Sequence, residues 1–326
     1  MNDLKKKIFD LAASDLAKIE IALKDNLKTH LEIISKAAGH ILFSGGKRFR
    51  PLLMVLSARI CGYDGAYDKT FSVIFEYLHA ATLLHDDIVD EAIIRRGQPV
   101  ANSIYGSATA ILVGDFLLAR SLSIAANTGS IEVIRAIGDV TENMAQGEIH
   151  QLIKKGSLDL TEKEYMEVIQ RKTASLMQGA CLTGALIADA QEKEKKALSD
   201  FGLNLGFAFQ MADDLLDYTS DTAVLGKTVG ADLREGKMTL PLIYALKHAA
   251  PDDRVKMEAI ISDTKFSDSD FNKLKMLLDT YGGIRYTTEL AAEHVQKAKN
   301  ALSVFDPSQT RDLLSMLADY TISRSL

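Results

Sequence analysis

The chain has 326 residues, of which 47% are hydrophobic and 25% charged, and its formal net charge is −6. That suits one large helical domain or two ordinary ones with a sizeable core. The acidic balance argues against nonspecific nucleic-acid binding, so an anionic ligand would need a local cationic cluster.

The N-terminal stretch MNDLKKKIFDLAASDLAKIE has no apolar h-region and no cleavage site, and it reads as an amphipathic helix. Next comes Gly45-Gly46-Lys47-Arg48-Phe49-Arg50-Pro51, three cations behind a glycine pair. The glycines let the backbone turn close to a ligand, and the helix starting there adds N–H donors for an anion. Phe71, Ile74, Phe75, Leu78 and Thr82 keep a three-four rhythm into LLHDDIVDEAIIRRGQP, residues 83–99. This segment places Asp86, Asp87, Asp90 and Glu91 on an otherwise apolar run and follows them with Arg95 and Arg96. Helical spacing resumes at Ile111, Leu112, Phe116, Leu117 and Leu122.

Lys172-Thr173 opens an uncharged segment, TASLMQGACLTGALIA. It is short for a membrane span and carries polar residues, so it reads as a buried core helix. Leu203, Phe207, Gln210, Asp214 and Asp217 trace a further helix, and a Gly-rich loop with Lys227 and Lys237 follows. Cys61 and Cys181 lie far apart among apolar residues and read as reduced core cysteines of a cytosolic protein. With five prolines, short Gly-marked loops and no tandem repeat, the chain reads as all-α and as one domain over residues 1–326.

Two segments share the pattern Asp-Asp-x-x-Asp: Asp86-Asp87-Ile88-Val89-Asp90 and Asp213-Asp214-Leu215-Leu216-Asp217. Residues four apart on a helix share a face, so Asp86 pairs with Asp90 and Asp213 with Asp217. Both clusters end apolar helical runs, where the helix dipole favours cations rather than carboxylates. Divalent ions resolve that conflict, because Mg²⁺ takes one or two carboxylates and completes its shell with water and phosphate oxygens. Neither cluster has the ligand spacing or central glycine of an EF-hand. Arginine forks suit phosphate oxygens. His79 lies two turns before Asp86 on about the same face, whereas His85 faces elsewhere; Gln210 lies on the face of the second cluster.

GGKRFRP, EYLHAATLLHDDIVDEAIIRRGQP, LVGDFLLAR, MAQGEIHQ, RKTASL, GFAFQMADDLLDY and GKTVGADLREGKMTLPL stand in the order found in trans-isoprenyl diphosphate synthases. The chain resembles that family from about residue 40 to 245, and its long-chain bacterial members above all. The resemblance implies an isoprenoid-synthase-type helical bundle around a deep central cavity, acting as a homodimer without nucleic acid. It implies two or three Mg²⁺ ions, bound through the substrate diphosphate. Asp86, Asp90 and Asp213 would hold these ions, with Asp87, Asp214 and Asp217 in support. Arg95, Lys172, Thr173, Gln210, Lys227 and Lys237 would contact the allylic diphosphate, and Lys47, Arg50, His79 and Arg96 the isopentenyl diphosphate. Asp86, Asp90, Lys172, Asp213 and Lys227 are the expected catalytic set.

The implied reaction is successive condensation of isopentenyl diphosphate onto an allylic primer such as farnesyl diphosphate, with the loop around Lys227 and Lys237 closing as a lid. Ala81 and Thr82, one turn below Asp86, would form the floor under the growing chain. Both are small, which implies a long product, with octaprenyl diphosphate for quinone side chains the leading expectation. The enzyme would be cytoplasmic, meeting membranes through its product. The alternatives are a shorter-chain geranylgeranyl-type synthase and a non-catalytic subunit of a heteromeric synthase. Such a subunit would be expected to have lost aspartates or lysines that this chain keeps.

Overall fold

The computed structural model describes residues 2–219 and 230–323. The helices are α1 (Asn2–Asn26), α2 (Glu32–Leu42), α3 (Phe49–Ile60), α4 (Asp68–Val89), α5 (Ala101–Tyr105), α6 (Ser107–Ala126), α7 (Ile131–Ile153) and α8 (Glu162–Ile169). A π-turn (Gln170–Ala174) joins α8 to α9 (Ser175–Ile187), and α10 (Glu192–Thr219) follows. Then come α11 (Ala231–Arg234), α12 (Leu240–His248), α13 (Pro251–Ser262), α14 (Asp268–Thr280), α15 (Gly283–Ala301) and α16 (Gln309–Ser323). The only strands among the described residues are β1 (Ile94–Arg95) and β2 (Gln98–Pro99), an antiparallel pair with Ile94 opposite Pro99. The all-α expectation holds, and this hairpin is an addition to it.

The residues cluster into two compact units. The first comprises residues 1–142, 176–202 and 300–317, and the second 143–175, 203–299 and 318–326. In the first unit α4 packs against α6, α3, α1 and α2. Its Phe75, Tyr77, Ile74 and Leu78 are almost wholly enclosed. The Tyr77 hydroxyl, which burial would leave costly, donates to Leu23 O at 2.6 Å. On α9, a Cβ at Gly184 would come within 2.4 Å of Met54 O on α3, so that helix approach needs glycine.

The second unit has its own apolar core, built around Tyr165, Met211, Tyr218, Leu240, Leu242, Leu274 and Leu278. Its helix α8 starts on a capping box. Thr161 Oγ1 accepts from the Glu164 N–H at 3.3 Å, and the Thr161 N–H donates to Glu164 Oε2 at 2.9 Å. Lys172 and Thr173, expected to open an α-helix, instead lie in the π-turn. Among the described helices, α6 is the one long and apolar enough to cross a membrane, by length and composition alone.

Candidate active site

The first acidic cluster sits where α4 ends. Val89 is the last helical residue, and Asp90 is the C-cap, with its N–H on Asp86 O at 2.8 Å. Glu91 then takes a left-handed φ of 51°, its N–H reaching Ile88 O at 3.3 Å, while the Ala92 N–H reaches Asp87 O at 2.9 Å. These are the two bonds of a Schellman ending. Glu91, a charge with no role in the sequence reading, is therefore the residue that turns the chain out of α4.

The next residues form the hairpin, with Arg96 and Gly97 both at positive φ (52° and 74°) in its two-residue turn. Asp86 and Asp90 are half-buried, whereas Asp87 is 1% exposed. Arg95 Nε donates to Asp87 Oδ1 at 2.6 Å, so Asp87 anchors the hairpin back onto α4. A carboxylate this deeply placed would be costly without such a partner.

The cationic stretch of the same unit divides by role. Gly45 and Gly46 have φ of 118° and 132°, and Arg48, itself left-handed at 50°, is the N-cap of α3. Arg48 points inward and is 5% exposed, while Lys47 is exposed and Arg50 half-buried. Arg96 Nη1 donates to Gly45 O at 2.5 Å. The imidazole of His79 is held well below its usual pKa, first by burial and then by the charges of Arg50, Arg96 and Arg95. Ala81 is fully enclosed and Thr82 half-buried, with its hydroxyl bonded back to His79 O at 2.9 Å.

In the second unit, α10 carries the other cluster. Asp213 is exposed, and its two companions are buried. The Tyr165 hydroxyl donates to Asp214 Oδ2 at 2.6 Å and Gln210 Nε2 to Asp214 Oδ1 at 2.8 Å. Thr173 Oγ1 in turn donates to Gln210 Oε1 at 2.8 Å. Three sequence-expected residues, Thr173, Gln210 and Asp214, thus form one chain of hydrogen bonds. Asp217 accepts the N–H groups of Ala231 (3.1 Å) and Asp232 (3.2 Å) and so caps α11. That cap brings Asp232 beside Asp214. Burial, and next the charge of Asp232, push the Asp214 carboxyl well above the usual range, against the pull of the Tyr165 and Gln210 hydrogen bonds.

Lys172 is ion-paired with Glu148 of α7. Its neighbour Gly147 lets α7 come this close, since a Cβ there would lie 2.7 Å from Lys172 N and 2.9 Å from Arg171 Cβ. From α10, a Cβ at Gly206 would lie 2.4 Å from Ala174 Cα. The π-turn is therefore held between two glycine faces, as befits an irregularity that aims side chains. Lys237 Nζ pairs with Glu235 Oε2 at 2.5 Å, and Lys227 lies outside the described residues.

Among the described residues, no three His, Cys, Asp or Glu side chains gather tightly enough to hold a metal alone. Each cluster by itself still fits Mg²⁺, which takes one or two carboxylates and draws its other ligands from water and phosphate. In the first unit Asp86 and Asp90 are half-buried, and in the second Asp213 is exposed, so each unit presents carboxylates of that kind. Sequence reasoning gave no role to Glu76, Gly147, Glu148, Tyr165 or Asp232. Glu76, Gly147, Glu148 and Asp232 lie in quoted motifs, but only the fold shows what they touch.

Comparison with known proteins supports the family resemblance read from the motifs. Residues 31–278 match the family model described as polyprenyl synthetase. The chain is 38% identical to the octaprenyl diphosphate synthase of Escherichia coli (strain K12), over 98% of each chain. Among solved structures it resembles a polyprenyl synthase from Caulobacter crescentus CB15, complexed with calcium and isoprenyl diphosphate, with a TM-score of 0.92 and 39% identity over 98% of both chains. A decaprenyl diphosphate synthase from Rhodobacter capsulatus gives a TM-score of 0.92 at 35% identity, covering 98% of this chain and 99% of that one. With a family model spanning most of its length and a full-length relative at this identity, the chain belongs to the polyprenyl synthetase family.

Proposed function

We propose that this protein is a prenyltransferase, a long-chain trans-polyprenyl diphosphate synthase. It condenses isopentenyl diphosphate successively onto an allylic diphosphate such as farnesyl diphosphate, with octaprenyl diphosphate the leading product. The observation that carries this reading is the pair of acidic clusters, each with outward carboxylates and inward ones tied to cationic or polar partners. The long-chain relatives and the small residues Ala81 and Thr82 support the product class.

Asp86, Asp90 and Asp213 are the residues that would hold Mg²⁺ with the allylic diphosphate. When bound, the divalent ions supply charge neutralisation at the departing diphosphate. Lys172, Thr173, Gln210 and Lys237 add cationic and polar contacts to that group, and Lys227 is assigned with them. Thr173 and Gln210 are already pre-set by their link to Asp214. Lys47, Arg50, His79 and Arg96 hold isopentenyl diphosphate, with burial and the neighbouring arginines disfavouring a proton on His79 before the ligand arrives. Departure of diphosphate leaves an allylic cation at C1. The isopentenyl double bond attacks it, and a proton leaves to the released diphosphate. The enclosed apolar side chains of α4, among them Phe75, Leu78 and Ala81, would help keep water from quenching the cation.

The protein acts as a homodimer in the cytoplasm and delivers its product to membranes. Dimerisation is supported by exposed apolar side chains in the first unit: Ile111, Leu112 and Leu122 on α6, and Ile131 and Ile134 on α7. The test of the function is Mg²⁺-dependent release of diphosphate from farnesyl and isopentenyl diphosphates together. Turnover abolished by chelation and by Asp86→Asn is expected, and no release with any allylic primer overturns it. Sedimentation of wild type and Leu112→Glu tests the dimer: wild type should sediment at twice the chain mass, and the variant as a monomer.

A further inference from the structure

We propose that Glu76 is a positioning residue for the isopentenyl diphosphate pocket: its buried carboxylate anchors Arg48 and, through it, the Gly45-Gly46-Lys47 turn. The inference rests on the proposed function for the identity of the ligand, and on geometry for the role.

Glu76 lies on α4 one turn before His79 and is 6% exposed. Arg48 Nη1 donates to Glu76 Oε1 at 2.8 Å, Arg48 Nε to Glu20 Oε1 at 2.5 Å, and Arg48 Nη2 to Leu42 O at 2.7 Å. Burial alone would lower the Arg48 pKa, but the bond to Glu20 and the field of Glu76 raise it. A guanidinium and a carboxylate thus pack together inside the protein, an arrangement that is costly unless fully bonded.

What this pair holds is not core. Arg48 carries a left-handed φ, unfavourable for any residue but glycine, at the junction between the glycine pair and α3. At Gly46 a Cβ would lie 3.0 Å from Arg48 Nη1, 3.5 Å from Arg96 Nη1 and 3.7 Å from Glu76 Oε1. The turn therefore rests directly on the Glu76–Arg48–Arg96 junction, and Arg96 grips it from the other side through Gly45 O. The guanidinium groups of Arg48 and Arg96 both border this junction, and Glu76 is an internal counter-charge acting on them. It lets the cations stand ready before a diphosphate arrives.

A purely electrostatic role and a positioning role have opposite signs. Removing a negative charge beside an anion site strengthens anion binding, whereas loosening the turn weakens it. The experiment compares wild type, Glu76→Gln, Arg48→Lys and the double variant. It measures KM for isopentenyl and for farnesyl diphosphate, and amide exchange over residues 43–50. Expected are a tenfold or greater rise in KM for isopentenyl diphosphate in each single variant, a farnesyl KM within twofold, and faster exchange in the turn. The double variant should be no worse than the singles, because both act through one contact. An isopentenyl KM that is unchanged or lower, an equal rise in both KM values, or additive effects overturn the proposal.

Should Glu76→Gln not fold, Glu20→Gln loosens the same guanidinium from a half-exposed position. It should raise the isopentenyl KM at least threefold, and no rise overturns the proposal. Absence of turnover in wild type would refute the proposed function instead, leaving the exchange measurement to judge the turn: faster exchange in Glu76→Gln upholds the anchor, and unchanged exchange overturns it.

Discussion

Gly147→Ala separates the role of the π-turn from ordinary helix propensity. Gly147 lies inside α7, where alanine is intrinsically better than glycine by about 1 kcal/mol. Propensity alone therefore predicts a more stable protein. The added methyl would lie 2.7 Å from Lys172 N and 3.1 Å from Arg171 C, both backbone atoms that no rotamer change can move. Ordinary contact begins near 3.4 Å, so the π-turn must retreat by roughly 0.7 Å. Overpacking against backbone belongs at the upper end of the usual range, about 3 kcal/mol.

The net loss is then about 2 kcal/mol, or a drop of roughly 3 °C in Tm for a chain of this size. The same retreat moves Lys172 and Thr173, and misplacement on that scale costs roughly 10- to 100-fold in kcat/KM for the allylic substrate. Calorimetry and steady-state kinetics with farnesyl diphosphate check both. A higher Tm with unaltered kinetics would refute the claim that glycine at this position exists to seat the π-turn.

Three further outcomes follow from the same geometry. Tyr165→Phe removes the donor to Asp214 Oδ2 inside the second unit, and should cost about 1–3 kcal/mol by chemical denaturation and lower turnover of the allylic substrate. Ala81→Phe places a large ring at a fully enclosed position; a shorter product is expected by chromatography, with about 1–3 kcal/mol of overpacking, and an unchanged product length refutes the floor assignment. Mg²⁺ with inorganic diphosphate should raise the Tm of wild type through ligand linkage, and raise that of Asp213→Asn less.

The sequence already showed the helix class and both acidic clusters, because helical periodicity and the Asp-Asp-x-x-Asp spacing are local. The division of labour among the aspartates was legible only in part. Asp86 and Asp87 are adjacent and chemically identical, yet one is half-buried and the other tied to Arg95 across a hairpin turn. Nothing local marks Arg96-Gly97 as a two-residue turn with both φ positive, because arginine is an uncommon choice there.

The π-turn has no sequence signature of its own; it exists because Gly147 and Gly206 admit close neighbours. Glu76 and Tyr165 read as ordinary helix residues, since their partners lie 28 and 49 positions away. Glu91 went unexplained because its role is a backbone one, a left-handed ending that sequence patterns assign to glycine.

The most direct test of the central claim is the size of the product made from farnesyl diphosphate, excess isopentenyl diphosphate and Mg²⁺. A long all-trans polyprenyl diphosphate is expected, eight isoprene units as the main species, absent without the metal. A product ending at four units would contradict the long-chain assignment, and no elongation at all would contradict the synthase itself.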